Sequence, residues 1–507
     1  MDYSSYYTLD PEMRHWDPIL GPDGKLIYED VWGSLKRCIV ANNDVATLKN
    51  YAAKHPRSIL FQDEFYYHDL FYVAASSGAL DALRALLDFY HANPERAKYL
   101  ETRPFSMVEV ACGSGSIDMV NFLLDDDPLR ETVYASEYHG GRALLCATQS
   151  LGNLSWGEDV GERELREYIN KSEKLINMLL DRGASVREAN RVYQWDDVDE
   201  KYRLMETALR NAMKHGSYKL LSRLIANGAD VHARQWSVPN EFGEGDREVT
   251  ALHLGSGYWN LEGIQAVLDN RGEVDLADIV SMRDDHGRLS IHWAAAGFDD
   301  QQSGHVCDGE DCTRCISIMK LLIDSNPRTV NVQDNEGKTA LFYALERHSK
   351  DTWVTCHCLE EVTRFLCEHG ADASIQDHKG QSVLYHIGAT GCYIGWSPIN
   401  RAILDILVAH GGRVNDADEE GDTALHILTR WQAKWLKRTH PNRETHEKQM
   451  KTYNTMVKYF REIGGSMDQR NKAGETPQQL LDDGYRNEGT EKPPPRPAGR
   501  GRGRGHS

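Results

Sequence analysis

Apolar positions along the chain recur three and four residues apart in short runs, which predicts amphipathic helices with one buried face. The runs come in pairs. Leu70–Leu87 reads L-F-Y-V-A-A-S-S-G-A-L-D-A-L-R-A-L-L, and Val108–Leu124, Glu206–Val231 and Thr250–Leu268 have a similar two-part pattern. Leu175–Val186 supplies a second helix, and a glycine that trails such a run is typical of a left-handed helix cap. We therefore expect a succession of helix pairs, with a weaker one near Cys38–Ala53.

A turn signature introduces the apolar runs in the second half of the chain. It consists of an acid or amide, two variable residues, glycine, one variable residue and usually Thr or Ser. It begins at Asp284, Asp334, Asp377, Asp418 and Asn471. A second apolar run follows the first four copies, starting at Ile318, Val362, Ile403 and Met456. A unit of this size cannot bury its apolar face alone, so the repetition predicts units stacked in a line.

Two short motifs connect these repeats to a known family. T-A-L-H stands at Thr250–His253 and Thr423–His426, and G-A-D stands at Gly228–Asp230 and Gly370–Asp372. On these motifs the sequence resembles the ankyrin-repeat family over roughly residues 36–485, in about nine or ten copies, with irregular insertions like those of divergent fungal members. The resemblance implies an all-α solenoid of stacked helix-turn-helix units with short β-hairpin turns. It also implies that Thr and His of T-A-L-H hydrogen-bond the turn to the first helix.

The spacing of the repeats departs from the family pattern. A standard unit has about 33 residues, whereas the anchors Thr339, Ser382, Thr423 and Thr476 stand 43, 41 and 53 residues apart. We expect the extra residues to lie mainly between the first and second helix of a unit. The predicted organisation is a Tyr-rich leader or cap over residues 1–35, the repeat array over residues 36–485, and a disordered Pro/Arg/Gly tail over residues 486–507.

Composition narrows the functional classes. The 507 residues are 40% hydrophobic and 27% charged, which is enough apolar material for a core, and the net charge of -19 disfavours binding to nucleic acid or anionic membranes. The start lacks the basic and apolar regions of a secretion signal, and no run of eighteen apolar residues occurs. We expect a cytoplasmic or nuclear protein that does not enter membranes and keeps its ten cysteines reduced.

A solenoid exposes an extended concave surface, so we expect a non-catalytic interaction module or scaffold that binds a protein partner there. We expect the protein itself to be monomeric and to need no cofactor. By the family pattern, the turn tips face the partner, whose identity the sequence does not give. The predicted contact residues are Asp285, His286, Arg288, Asn335, Glu336, Lys338, His378, Lys379, Gln381, Glu419, Glu420 and Asp422. The last turn adds Lys472, Ala473 and Glu475.

Two alternatives remain open. The basic segment 430–458, with Trp431 and Trp435, and the Arg-Gly tail could bind RNA or an acidic partner, because aromatic and basic side chains stack on bases and neutralise phosphates. Cys307, Cys312 and Cys315 could bind zinc, although a single C-x-x-C is a weak signal and the ordinary interpretation is reduced thiols in a loop.

Catalytic motifs are missing from the sequence. Gly337-Lys338-Thr339 imitates the end of a phosphate-binding loop, but Val332 occupies the position of the required first glycine. The chain contains no G-x-S-x-G, H-E-x-x-H or G-x-G-x-x-G. We therefore expect no enzymatic activity.

Overall fold

The computed structural model describes residues 19–20, 26–28, 35–54, 69–93, 99, 105–126, 142–152, 162–187, 189–193, 202–235, 248–297, 309–350, 357–390, 399–436 and 443–486. Apart from two short strands and Leu35, the predicted leader lies outside these residues, and so does the tail after Arg486. The chain divides into two compact units. The first comprises Met1–Ile279 with Asp299–His305, and the second comprises Val280–Phe298 with Val306–Ser507.

Unit 1 contains six helix pairs among its described residues. They are α1 (Leu35–Ala41) and α2 (Val45–Lys54), α3 (Leu70–Ser77) and α4 (Leu80–His91), α5 (Met107–Gly113) and α6 (Ile117–Asp125), α7 (Ala143–Gly152) and α8 (Glu162–Asp181), α9 (Ala208–Ala212) and α10 (Tyr218–Ala226), and α11 (Ala251–Gly257) and α12 (Leu261–Asp269). A short helix, α13 (Leu276–Ile279), follows the last pair.

Unit 2 contains four helix pairs and a final single helix in the part of the chain that the structure describes. They are α14 (Ser290–Ala296) and α15 (Gly309–Ser325), α16 (Ala340–Lys350) and α17 (His357–Glu368), α18 (Val383–Thr390) and α19 (Arg401–Ala409), and α20 (Ala424–Leu436) and α21 (Arg443–Glu462). The final helix is α22 (Pro477–Arg486), and a 3₁₀ turn, Pro327–Asn331, follows α15.

The pairs stack in sequential order within each unit. In unit 1 the first helix of each pair packs on the first helix of the next, from α1 through α3, α5, α7 and α9 to α11. In unit 2 the same order runs from α14 through α16, α18 and α20 to α22. The predicted all-α repeat architecture is therefore confirmed.

Small residues allow the first helices to approach closely. Ala212, Ala294 and Ala344 are almost completely buried, as expected from their place in the repeats. Gly388 in α18 shows how tight the contact is, because a Cβ there would lie 2.9 Å from the carbonyl oxygen of Ala424 in α20. Larger apolar side chains fill the remaining space, and each fully buried leucine or isoleucine contributes about 1.5–3 kcal/mol.

One hairpin is longer than the sequence suggested. β3 (Ala189–Tyr193) pairs antiparallel with β4 (Tyr202–Thr207) between α8 and α9, and a second small hairpin joins β1 (Ile19–Leu20) to β2 (Leu26–Tyr28). The β3–β4 hairpin lengthens a connection between two pairs. In unit 2, by contrast, the undescribed segments 351–356, 391–398 and 437–442 separate the two helices of a pair, where the extra residues were expected. None of the described helices is long and apolar enough to cross a membrane.

Candidate interaction surface

Four of the five described turns of unit 2 are built around the acid that begins them, and the last is built around Asn471. The Asp334 carboxylate accepts hydrogen bonds through Oδ1 from the backbone N–H groups of Glu336 and Lys338, both at 2.8 Å, while its own N–H donates to the Lys338 carbonyl at 2.9 Å. Equivalent bonds occur at the other three acids, Asp284, Asp377 and Asp418. An aspartate that bonds the backbone two residues on is a favoured turn former. The acid therefore fixes the shape of the turn.

Glycine at the fourth turn position meets two requirements at Gly337. Its φ is +86°, a left-handed conformation that disfavours other residues. A Cβ there would also lie only 2.6 Å from the backbone nitrogen of His378 in the next turn. The glycine thus permits both the bend and the close approach of the neighbouring turn.

The five turns are joined edge to edge by backbone hydrogen bonds. The N–H of Asn335 donates to the carbonyl of His286 at 2.9 Å, and the N–H of His378 donates to the carbonyl of Glu336 at 2.9 Å. The same bond recurs from Glu419 to Lys379 and from Lys472 to Glu420. Consecutive turns are therefore fixed relative to one another, so residues far apart in sequence form a continuous surface.

The predicted contact residues fall into two groups. The second and third residues of every turn are exposed, and we call these ten residues the tip row: Asp285, His286, Asn335, Glu336, His378, Lys379, Glu419, Glu420, Lys472 and Ala473. The fifth residues are half-buried or buried in four of the five turns, with Glu475 as the exposed member. The structure thus brings the tip row together and leaves Arg288, Lys338, Gln381 and Asp422 half-buried or buried.

Arg288 and Asp422 show what the fifth position does instead. The Arg288 Nε donates to Oδ2 of Asp284 at 2.7 Å, and its guanidinium lies 4.7 Å from the centre of the Trp293 ring. Asp422 is buried and accepts a hydrogen bond from Arg430 Nη1 at 2.6 Å. Burial alone would raise the pKa of Asp422, but the hydrogen bonds from Arg430 and Asn471 outweigh it and hold the pKa below its ordinary value. These side chains stabilise the turns from within.

Lys338 belongs to a cluster of charged side chains beneath two adjacent turns. Its Nζ lies 3.1 Å from Glu336 Oε2 and 3.0 Å from Glu346 Oε1. The same Glu346 oxygen lies 3.0 Å from Nδ1 of His386, whose Nε2 lies 3.1 Å from Asp377 Oδ2. Burial alone would lower the pKa of His386, but its hydrogen bonds to Asp377 and Glu346 raise it overall. We call Lys338, Glu346, Asp377 and His386 the His386 cluster.

The T-A-L-H histidines are structural. The N–H of Thr423 donates to His426 Nδ1 at 3.0 Å, and Thr423 Oγ1 lies 2.9 Å from the same nitrogen, while His426 Nε2 lies 3.2 Å from the Glu475 carbonyl of the next turn. Thr250 and His253 make the same contacts with each other. The predicted bond between turn and first helix is therefore confirmed in both copies.

The basic segment proposed for RNA binding is partly occupied by contacts within the protein. Arg430 pairs with Asp422, and Lys434 lies 4.5 Å from the centre of the Trp431 ring. Residues 437–442 lie outside the described part of the chain. Two of the cations on which the RNA interpretation rested thus already have acidic or aromatic partners.

The cysteines differ from the expectation that all are reduced. Cys312 is disulfide-bonded, whereas Cys315 is a buried thiol that donates to the Ala294 carbonyl at 3.4 Å. A sulfur in a disulfide is not a thiolate, which is the form that binds zinc. Cys307 lies outside the described residues. The predicted zinc set is therefore not assembled among the described residues.

The sequence interpretation missed side-chain hydrogen bonds that connect one turn to the next. Arg283, one position before a turn, donates through Nη1 to the carbonyls of Gly287 and Gln333, at 2.7 and 3.0 Å. Gln333, at the same position one turn later, donates through Nε2 to the carbonyls of Gly337 and Gln376, at 2.7 and 2.9 Å. A long donor side chain immediately before the turn acid was the available signal.

The sequence interpretation also missed contacts that link the second helices of successive pairs in unit 1. Arg223 in α10 donates to Asn177 Oδ1 at 2.7 Å and pairs with Asp181, both in α8. Arg182 makes the same two contacts with residues 121 and 125 of α6. The signal was a repeated pattern, N-F-L-L-D at 121–125 and N-M-L-L-D at 177–181.

No family model matches the chain. Among solved structures, the chain is similar to the crystal structure of the ankyrin repeat domain of Bcl-3, a member of the IkappaB protein family, with 18% sequence identity and a TM-score of 0.34 over 55% of this chain and 97% of that one. The ankyrin-like architecture itself is seen in the sequential helix pairs, the linked turns and the Thr–His bonds described above.

Proposed function

We propose that this chain is a non-catalytic interaction module whose tip row binds a protein partner. The observation that carries the proposal is the edge-to-edge joining of five turns, which holds exposed side chains from five successive layers in one row. A repeat array commonly binds through such an extended surface.

The chemistry of the tip row favours a polar, sequence-specific partner. Its residues include four acids, Asp285, Glu336, Glu419 and Glu420, and two lysines, Lys379 and Lys472, so the row carries both signs of charge with an excess of negative charge. A mixed row discriminates among partners by placing like or unlike charges opposite one another. It does not suit the sequence-independent neutralisation of phosphates that nucleic-acid binding requires.

The proposal also rests on the rigidity of the turns. Ordering a loop on binding costs free energy that must be subtracted from the affinity. The bonds from Asp334 and its counterparts fix the backbone of each turn before any partner arrives. A preorganised row therefore retains more of its contact energy as affinity.

Comparative affinity purification with quantitative mass spectrometry tests the proposal. The full chain serves as bait beside a tip-row variant that reverses three exposed charges, Lys379→Glu, Glu419→Lys and Glu420→Lys. A matched control changes the net charge equally on second helices, at Lys458→Glu, Glu361→Lys and Glu368→Lys. All six side chains are exposed.

The expected result is a set of partners held by the wild type and the control but reduced by about tenfold or more in the tip-row variant, because a few interface residues carry most of the binding energy. Circular dichroism of the three proteins checks that the folds match. Equal capture by the tip-row variant, or loss in the control alone, would contradict the proposal.

A further inference from the structure

The imidazole of His386 lies between carboxylates from two successive layers. Its Nδ1 is 3.0 Å from Glu346 Oε1 in α16, and its Nε2 is 3.1 Å from Asp377 Oδ2 in the turn before α18. Only 13% of the His386 side chain and 4% of the Asp377 side chain are exposed. A neutral imidazole has one N–H donor, whereas the imidazolium has two. The protonated ring alone can donate to both carboxylates.

Among the described residues, the other groups near the ring are aromatic or act through Glu346. From α16, Phe342 packs edge-on against the ring with centroids 5.2 Å apart. Lys338 reaches the cluster by pairing with Glu346 rather than with the ring. On the side of α20, Asp422 and Arg430 act on Tyr385, the residue before His386. In the described part of the chain, Glu346 and Asp377 are the carboxylates that contact His386 and raise its pKa against the effect of burial.

The cluster is mechanically connected to the tip row at two places. Oδ2 of Asp377 faces His386, while Oδ1 of the same carboxylate accepts the backbone N–H of Lys379 at 2.9 Å. Lys338 joins Glu346 to Glu336. Loss of the proton would leave two carboxylates facing a neutral ring. The expected consequence is that both turns loosen.

The direction of the pH effect follows from the shifts. The pKa of His386 is raised above its ordinary value of about 6.5 because Asp377 and Glu346 outweigh burial. A raised folded-state pKa means that the stabilisation is complete below pH 6.5 and is lost as the pH rises through the folded-state pKa. The pKa values of Glu346 and Asp377 are lowered, so both remain ionised throughout this range.

We propose that His386 is a proton-operated lock on the second and third turns of the tip row, those that carry Glu336 and Lys379. With the ring protonated, the turns are held in the arrangement described above. As the solution becomes alkaline, the turns loosen and a partner bound there is released. The statement about the partner rests on the proposed function, while the statement about the turns does not.

Hydrogen–deuterium exchange of the full chain without a partner tests the lock. After correction for intrinsic exchange, exchange in the peptides that cover residues 334–338 and 377–381 should rise by about threefold or more between pH 6.5 and pH 9. In His386→Gln it should be fast at both pH values. In the control His369→Gln, which changes an exposed histidine, the wild-type pH dependence should remain.

A second variant keeps the test decisive if His386→Gln does not fold. Glu346→Gln removes one of the two carboxylates, so the rise in exchange should move to lower pH. Exchange in the wild type that does not change with pH, or an unshifted rise in Glu346→Gln, would overturn the lock. If the turns loosen as described but the affinity of an identified partner does not change with pH, the proposed function of the tip row fails and the lock stands.

Discussion

Acidification should destabilise unit 2 through His292. The folded protein favours the neutral form of this ring, whereas it favours the protonated form of His386. The ring is completely buried in α14; its Nδ1 accepts the N–H of Leu289 at 2.9 Å, and its Nε2 lies 3.0 Å from the Val332 carbonyl. Both bonds suit a neutral ring that is protonated at Nε2. A proton added at Nδ1 would face the N–H of Leu289.

The size of the effect follows from the shift. Burial lowers the pKa of His292 to about 4, against an ordinary value of about 6.5 in the unfolded chain. A lowered histidine pKa means that the unfolded state binds more protons between these values, so stability is complete above pH 6.5 and falls as the pH drops toward 4. Between pH 7 and pH 5 the loss from this residue is about 2 kcal/mol.

Urea denaturation of wild type and His292→Gln at pH 7 and pH 5 measures this contribution. Groups that titrate equally in both proteins cancel in the difference between them. The stability advantage of the wild type over the variant should therefore shrink by about 2 kcal/mol at pH 5. The control His369→Gln should keep a constant difference from the wild type. An advantage over His292→Gln that does not change with pH would refute the reasoning.

Two further outcomes follow from the turns and the thiols. Gly337→Ala should destabilise unit 2 more than Gly474→Ala. Both positions have positive φ, so alanine at either costs about 1–2 kcal/mol of backbone strain, but only at position 337 does the new Cβ also meet the backbone of His378. Equal losses of unfolding free energy in urea denaturation would contradict this. Burial raises the pKa of Cys367 to about 11, so iodoacetamide at pH 8 should label the half-exposed Cys38 before Cys367 in the native protein. Equal labelling of the two cysteines, measured by peptide mass spectrometry, would contradict this.

Local patterns made the turns and their bonds predictable. Thr423 and His426 are three residues apart, and the turn acid and glycine are also three apart, so a short motif records each contact completely. The stacking order followed from repetition of the same apolar runs. The positions of the tip row could thus be predicted, because they are fixed by the turn itself.

Contacts between layers were harder to predict. The His386 cluster joins Glu346 to His386 in the next layer, a pair that no motif marks. The spacing of nine between Asp377 and His386, by contrast, recurs at Asp284 and Trp293 and at Asp334 and Tyr343. The fifth turn positions appeared exposed by pattern, yet Arg288 and Asp422 lie against neighbouring side chains. Those two side chains pair within their own repeats, whereas the contact of Glu346 with His386 depends on how adjacent layers align in space, which a single repeat does not encode.

The central claim is that the tip row is the binding surface, and site-specific photo-cross-linking tests it most directly. A photoreactive amino acid placed at His378, in the tip row, or at Lys320, exposed on α15, reports which face lies against the partner. The account predicts cross-links to the captured partner from position 378 and none from position 320. Cross-links from position 320 alone would contradict it.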